Sequence, residues 1–407
     1  GPTSHYQPIY NLFVKGGGTA PSSLLHTDQV QEFVEILLLQ GHAWMQMRRY
    51  KELGQEIQTW SYCQTYTTSA TTTTSNERPP TWIPWNVHVF AAASLQYTSS
   101  DKALASTGLW KIRKDIEMSS DESKVLDLLH VDHALSNLFL AQGEWRMALE
   151  SLERMVEFLP PAARVLWSQH NNKNNNKPVP EGAIQALVHA AQCEIWSRQG
   201  RLLLQMGALE GAQTLFEQAQ SLWEDVPHAE SKLLRQIPPA HCLIQQVEPQ
   251  LHANLGLLYF SYQKYNLALE HFRKSLETTT LAQKQQQVQE EETKHEAYAL
   301  TNPYLASDWL GGGLIAPVAR HTLHAEVTTN LAVAALYTCR LHEAIHVMEG
   351  LIRKSPSEAL TERSALNLCT LYELSGDAAT ATRKKRTLQL IAKRFFLHDI
   401  GPESFRL

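Results

Sequence analysis

The chain has 407 residues, with 36 Lys and Arg against 41 Asp and Glu for a formal net charge of −5; 43% of its residues are apolar and 19% are charged. An apolar fraction of this size excludes a largely disordered chain. The mildly acidic balance argues against a nucleic-acid-binding protein, because the affinity of such proteins comes mainly from clustered cations.

A pair of residues separated by twelve positions, usually both small, recurs along the chain. Small side chains at the crossing of two helices let the backbones approach, and a bulky side chain one turn later fills the space beside them. In chain order the pairs are Gly41/Leu53, Ala91/Ala103, Ser136/Ala148, Gly200/Ala212, Gly256/Ala268, Ala332/Ala344 and Cys369/Ala381. The alternative, a generic helical bundle, has no reason to repeat one offset.

One copy of this pattern matches the 34-residue tetratricopeptide (TPR) template at six signature positions. These positions are Leu255, Gly256, Tyr259, Tyr265, Ala268 and Phe272. The sequence therefore predicts an all-α fold, an α-solenoid of about seven irregular TPR-like helical hairpins.

The predicted organisation is a flexible N-terminal segment (1–29), a single solenoid (30–395) and a C-terminal tail (396–407). The predicted units lie near 34–62, 84–117, 129–160, 193–226, 249–282, 325–356 and 362–394. Polar tracts that cannot bury much apolar surface predict insertions at 63–83, 161–181 and 284–317. We expect Pro160 to end the second helix of the third unit. The Gln/Glu tract alternatively extends the helix before it beyond Leu281.

The cysteines and the hydropathy bear on cellular location. Five scattered cysteines, with no CxxC pair among them, are typical of reduced thiols in a cytoplasmic protein. The longest aliphatic run, Ile36–Leu39, is far shorter than the ~20 residues that span a bilayer. We therefore expect no transmembrane segment.

The motif His342-Glu343-Ala344-Ile345-His346 has the H-E-x-x-H pattern of zinc peptidases, in which two imidazoles share one helix face. However, Ala344 is a predicted crossing residue, which places Ile345 on the buried face and both histidines toward solvent. A zinc hydrolase is therefore only the less favoured alternative. We expect no catalytic residue, no bound metal and no cofactor.

Three asparagines, Asn254, Asn330 and Asn367, each precede a small crossing residue by two positions. If the first helix of each hairpin lines a concave face, their carboxamides form a ladder there. An amide donates and accepts, so the ladder could hold an extended partner backbone. The alternative is that these amides hydrogen-bond within the scaffold.

The basic cluster Arg383-Lys384-Lys385-Arg386 is a second candidate protein-binding site. It is compatible with a nuclear signal, an anionic-membrane contact or a docking patch for an acidic partner. The alternative is a solvated last helix whose cations suit the C-terminal helix dipole. Because four consecutive charges circle a helix, one of them must face the packed side, and Lys385 occupies a position where the repeat has a bulky apolar residue.

Three runs near the C-terminal end of the sequence have a pattern narrower than the general repeat; they are Asn330–Tyr337, Arg340–Glu349 and Leu366–Leu374. They resemble the C-terminal repeats of the TRAPP complex subunit 12 family of the trafficking protein particle complex. Upstream, Ile83-Pro84-Trp85 and Ala103–Ile112 are similar to its region before the repeats. The resemblance covers most of the chain from about Val30 onward, and the Thr, Asn and Gln insertions depart from it.

The resemblance implies a non-catalytic subunit of a complex that tethers vesicles between endoplasmic reticulum and Golgi and acts in autophagy. In that family the subunit joins large TRAPP subunits 8 and 11, while small core subunits activate a Rab GTPase. It also implies a peripheral location at the ER–Golgi intermediate compartment and Golgi membranes, and it transfers no catalytic residue. A free-standing TPR adaptor or co-chaperone that binds peptide segments remains the alternative.

Overall fold

The protein is all-helical wherever its structure is described. The computed structural model describes residues 27–68, 83–101, 103–120, 124–171, 181–226, 238–292, 316–397 and 400–406. Within these ranges every regular element is a helix, and the helices pack in adjacent pairs, an arrangement consistent with a helical solenoid. The predicted all-α class is confirmed. None of the helices in these ranges has the length and apolarity needed to cross a membrane.

The described residues form two compact units, and the boundary between the units lies between Gln169 and His170. The first contains α1 (Thr27–Gln46), α2 (Tyr50–Thr59), a 3₁₀ turn (Ser61–Cys63), α3 (Gln64–Thr67), α4 (Trp85–Thr98), α5 (Ala103–Glu117), α6 (Lys124–Gln142) and nearly all of α7 (Trp145–Asn171). Side chains of α1, α2 and α4 form one apolar core, which includes Leu37, Leu53, Trp60 and Phe90.

The second unit contains α8 (Glu181–Gln205), α9 (Leu209–Glu224), α10 (Pro238–Ser261), α11 (Tyr265–Glu292), α12 (Ala316–Tyr337), α13 (Leu341–Lys354), α14 (Pro356–Ala359), α15 (Glu362–Leu374), α16 (Ala378–Arg394) and a 3₁₀ turn (Pro402–Phe405). Besides its neighbour in the chain, α10 packs against both α8 and α12. A continuous apolar core runs from α10 to the last turn and includes Phe272, Met348 and Phe405.

The turn between paired helices has the same backbone geometry at six places. One residue in each turn has a positive φ, between 55° and 88°. These residues are Arg48, Gly143, Gly207, Gln263, Cys339 and Gly376. At five of the six, the next backbone N–H bonds to the carbonyl five residues earlier, as in Lys264 to Tyr259 at 2.8 Å. This bond pattern is that of a Schellman helix end.

This shared turn explains the twelve-residue offset. In all six copies the positive-φ residue lies seven positions after the first residue of the pair and five before the second. The second helix always begins two residues after it. A fixed turn between two helices therefore places one crossing residue opposite the other.

The crossing residues pack as the pattern predicted. Ala212 is fully buried, and Phe216, one turn later, is 1% exposed. A Cβ atom added to Gly200 would lie 2.3 Å from the Phe216 ring, a distance that real Cβ contacts do not reach. The predicted roles of the small residue and of the bulky one are therefore confirmed in this hairpin.

The prediction that Pro160 ends its helix is wrong. Helix α7 continues to Asn171 with Pro160 and Pro161 inside it, so the insertion predicted at 161–181 begins too early. Each proline removes one N–H donor from the helix. That loss is offset by the next turns, which bury Ala162, Ala163 and Trp167. Residues 172–180 lie outside the described ranges.

Two other predicted boundaries, the start of the insertion at 63 and the end of the N-terminal segment at 29, fall within residues that the structure shows as helical. Cys63 and Tyr66, at the start of the insertion predicted at 63–83, are buried. Helix α1 begins at Thr27, within the N-terminal segment predicted to be flexible. At the first of these boundaries, the buried side chains of Cys63 and Tyr66 extend the core past the polar composition of the neighbouring sequence. Residues 1–26 and 69–82 lie outside the described ranges.

The last two boundaries concern the Gln/Glu tract and the tail. Helix α11 continues to Glu292, as the alternative interpretation of the Gln/Glu tract predicted, and residues 293–315 lie outside the described ranges. The predicted tail packs back onto the second unit, where Leu397, Ile400 and Phe405 are buried. The predicted unit limits and the single stack over 30–395 stay predictions.

Candidate protein-binding site

Asn254, the first member of the predicted ladder, lies inside the scaffold. Its side chain is fully buried, and its Oδ1 accepts a hydrogen bond of 2.9 Å from the Arg201 guanidinium of α8. Its Nδ2 is buried and has no hydrogen-bond partner within the described part of the chain. Asn254 therefore hydrogen-bonds within the scaffold, as the alternative to the ladder predicted, and is not accessible to a partner.

Arg201 belongs to a charged network on α8 that the sequence analysis missed. Arg198 donates to Glu194 at 2.6 Å, and both side chains are largely buried. Burial lowers the pKa of Arg201, while the negative charges of Glu194 and of Glu326 on α12 counter this shift. The i, i+4 spacing of Glu194 and Arg198 is the one sequence signal for this network.

The other two asparagines remain accessible. Asn330 on α12 and Asn367 on α15 are half-buried, and neither carboxamide forms a hydrogen bond with another described residue. A reciprocal capping box between Thr361 and Ser364 fixes the start of α15 one turn before Asn367. The predicted ladder of three equivalent amides is thus reduced to two, and partner binding by either stays a prediction.

Large apolar side chains are exposed beside these amides. On α15, Leu366 is 42% exposed and Leu374 is 54% exposed, and their spacing of eight residues places them on one helix face. On α12, Tyr337 is 56% exposed and packs against Tyr265 with ring centroids 4.9 Å apart. Exposed apolar side chains beside unpaired amides are typical of protein-binding surfaces.

The basic cluster divides into inward and outward cations. Lys384 donates to Glu349 Oε1 at 2.8 Å and lies 4.8 Å from the centre of the Tyr372 ring. The Tyr372 hydroxyl donates to the same oxygen at 3.0 Å. Partial burial raises the pKa of Glu349, but the hydrogen bonds from Lys384 and Tyr372 outweigh it and lower that pKa overall.

One cation of the cluster was expected to face the packed side, and this cation is Lys385, so the prediction that Lys385 binds a partner is wrong. It is only 6% exposed. Its ammonium donates to the Glu373 carboxylate and, at 3.0 Å, to the backbone carbonyl of Arg406. The Arg406 guanidinium donates to the other Glu373 oxygen at 3.1 Å. Lys385 therefore fastens the C-terminal turn to α15 and is not free to bind a partner.

Arg383 and Arg386 point outward and are exposed. A shallow groove of about 390 Å³ runs beside Arg386, between α16 and the end of the chain. Its lining consists of Thr382, Lys385, Arg386, Gln389, Leu390 and Arg406. Of the four predicted cations, Arg383 and Arg386 are the two that are exposed and form no ion pair with a described residue.

The side chains of the H-E-x-x-H motif face the directions that its position in the repeat predicted. Ala344 and Ile345 are buried, whereas His342 and His346 are exposed. Glu343 is occupied by ion pairs with Arg273 of α11 and with Arg340. Among the residues that the structure describes, no group of three or more His, Cys, Asp or Glu side chains is arranged to hold a metal ion.

A thiol and an imidazole meet in the core of the first unit, a pair that sequence spacing alone did not reveal. Cys63 Sγ and His88 Nδ1 are 3.5 Å apart, and both residues are fully buried. Burial raises the pKa of the Cys63 thiol and lowers the pKa of His88 to about 4. Because the thiolate is the reactive form of cysteine, this neutral pair is not an activated nucleophile.

Comparison with known proteins finds no matching family model and no matching curated protein.

Proposed function

We propose that this chain is a non-enzymatic scaffold subunit of the TRAPP vesicle-tethering complex. In this role it links large subunits 8 and 11 of a complex that activates a Rab GTPase in ER-to-Golgi transport and autophagy. The observation that carries the proposal is the sequence of α12, α13 and α15, where the three runs that resemble the TRAPP subunit 12 family are found.

The helical pairs support a scaffold role. We take the pairs as TPR-like hairpins because six of them share one turn geometry and one spacing of crossing residues. Stacked hairpins present a large surface built from many helices, which suits a protein that holds several partners. The proposed location is cytoplasmic, at the surface of ER–Golgi intermediate and Golgi membranes.

The proposed partner-binding surface consists of Asn330, Leu366, Asn367 and Leu374. Two half-buried amides can bond a partner backbone, and two exposed leucines can bury apolar area against it. The leucines flank Asn367 on α15, so one partner segment could contact both kinds of group.

Affinity purification of the tagged chain from its native cells tests the proposal. We expect recovery of the large TRAPP subunits with the wild type, and at least about tenfold less with the Leu366→Ser/Leu374→Ser variant, since burying each leucine is worth roughly 1.5–3 kcal/mol. Leu267→Ser is a matched control because this leucine is also exposed, at 41%, but on α11. Recovery of other partners without large TRAPP subunits would contradict the proposal.

A further inference from the structure

The outer face of α16 carries an unusual combination of charge and apolar surface. Arg383, Arg386, Leu390, Lys393 and Arg394 recur at helical spacing and are all exposed. At 100° per residue, Leu390 lies in the middle of this face, with two cations on each side. We call these five residues the α16 outer face.

Within the described part of the chain, none of the four cations of the α16 outer face forms an ion pair. Helix α16 contains no Asp or Glu, and its N-cap residue Asp377 interacts with Arg383 only at longer range, through its charge. The carboxylates of Glu349 and Glu373 are already paired with Lys384, Lys385 and Arg406.

Leu390 is the one apolar member of the α16 outer face, and it is 65% exposed. The other four members of this face are cations. Phe395 and Phe396, just after the helix, are 41% and 72% exposed. A protein–protein interface needs a core of several adjacent apolar residues that exclude water together, and this face lacks one.

A lipid surface has no such requirement. A single apolar side chain inserts among acyl chains by itself, while arginine and lysine extend their charged ends to the headgroups. Anionic headgroups attract each juxtaposed cation, and the attraction adds over the four cations. We propose that the α16 outer face binds the surface of an anionic phospholipid membrane directly. This activity goes beyond the proposed scaffold function, because it requires no TRAPP subunit.

Vesicle sedimentation with the purified full chain tests this proposal. The probes are vesicles of phosphatidylcholine alone and vesicles in which about a third of the lipid is phosphatidylserine. We expect binding to the second only. Arg386→Glu/Lys393→Glu should lower the partition coefficient by more than about tenfold, given a factor of roughly five for each cation lost. Leu390→Ser should lower it several-fold, and high salt should release the wild type.

Arg353→Glu/Lys354→Glu is the matched control, since it makes the same charge change at two exposed residues of α13. Circular dichroism confirms that every variant is folded. The proposal is overturned if the wild type does not prefer anionic vesicles, or if the control loses as much binding as Arg386→Glu/Lys393→Glu. Loss of an acidic protein partner from the latter variant, without any vesicle binding by the wild type, would also overturn it. Failure to recover TRAPP subunits would leave these vesicle results unchanged.

Discussion

The ring of Phe272 occupies the space that Gly256 leaves by lacking a side chain. A Cβ atom at position 256 would lie 2.5 Å from a carbon of this ring, and Phe272 is 1% exposed. The two residues are on α10 and α11 and pack across the crossing of one hairpin. The same relationship, at the same separation of sixteen residues, joins Gly200 and Phe216. Small and bulky residues are therefore coupled positions of the repeat.

This coupling predicts that Gly256→Ala destabilises the second unit. The added methyl group must displace the ring or separate the helices, so we expect a loss of about 1–3 kcal/mol in the free energy of unfolding, measured by urea denaturation. Gly256→Ala/Phe272→Leu should recover part of the loss. Gly350→Ala is the control, since nothing lies within 4 Å of its added Cβ, and alanine should stabilise the helix slightly. Equal losses from both alanine variants would contradict the account.

A buried carboxylate holds the first unit together. Asp132 is fully buried, and its Oδ1 accepts hydrogen bonds from Arg113 at 3.0 Å and Arg154 at 2.9 Å. The two guanidinium groups lie against the Trp110 ring, 5.8 and 5.2 Å from its centre. One carboxylate thus joins cations of α5 and α7 to α6.

We predict that Asp132→Ala lowers the free energy of unfolding by roughly 3–5 kcal/mol, because it leaves the partly buried Arg154 without its counter-charge and Arg113 paired only with the exposed Glu117. Glu150→Ala should change it by less than about 1 kcal/mol, since its ion pair with Arg146 is exposed. Thermal unfolding followed by circular dichroism measures both. If the two variants melted at the same temperature, the carboxylate would not have this role.

Burial of His88 predicts a pH dependence of stability. The pKa of His88 falls from 6.5 to about 4 because burial disfavours its charged form. Between these values the unfolded chain binds a proton that the folded chain does not, so stability decreases as the pH falls from 6.5 to 4. The full effect is about 3 kcal/mol. Above pH 6.5 this contribution is fully present.

Urea denaturation of the wild type and His88→Leu at several pH values isolates this effect from that of other titrating groups. We expect the difference between the two proteins to shift in favour of the variant as the pH falls through this range. A difference that is the same at pH 4 and pH 7 would exclude a buried neutral histidine.

The two kinds of cation on α16 should respond differently to substitution. Lys385→Ala removes the bonds to Glu373 and to the Arg406 carbonyl, and we expect a loss of about 1.5–3 kcal/mol in the free energy of unfolding. Arg386→Ala should change it by less than about 0.5 kcal/mol, because this side chain is exposed. Differential scanning calorimetry can compare them. A larger loss for Arg386→Ala would reverse the assignment of inward and outward cations.

The spacing of small residues was enough to predict the helix pairs. It works because one backbone turn, with a positive φ at Gln263 and its counterparts, recurs and preserves the offset even where the side chains differ. The run of four charges also predicted that one cation faces the packed side, and Lys385, at a repeat position that usually holds a bulky apolar residue, is that cation. Pro160 misled because proline destabilises a helix only locally, whereas the burial of Trp167 depends on tertiary packing.

The contacts of the candidate site residues could be predicted from the sequence less well than the helix pairs. Asn254, Asn330 and Asn367 have the same place in the repeat, yet only Asn254 is buried, where α8 packs on α10 and Arg201 of that neighbouring hairpin bonds to it. A contact over 53 residues leaves no local pattern. The pair Cys63 and His88 was missed for the same reason, since it forms only when the 3₁₀ turn packs on α4.

Crosslinking mass spectrometry of the native assembly tests the scaffold proposal most directly. The account predicts crosslinks from lysines of the second unit, such as the exposed Lys354 at the end of α13, to large TRAPP subunits. An assembly in which this chain is crosslinked only to chaperones or to itself would contradict it.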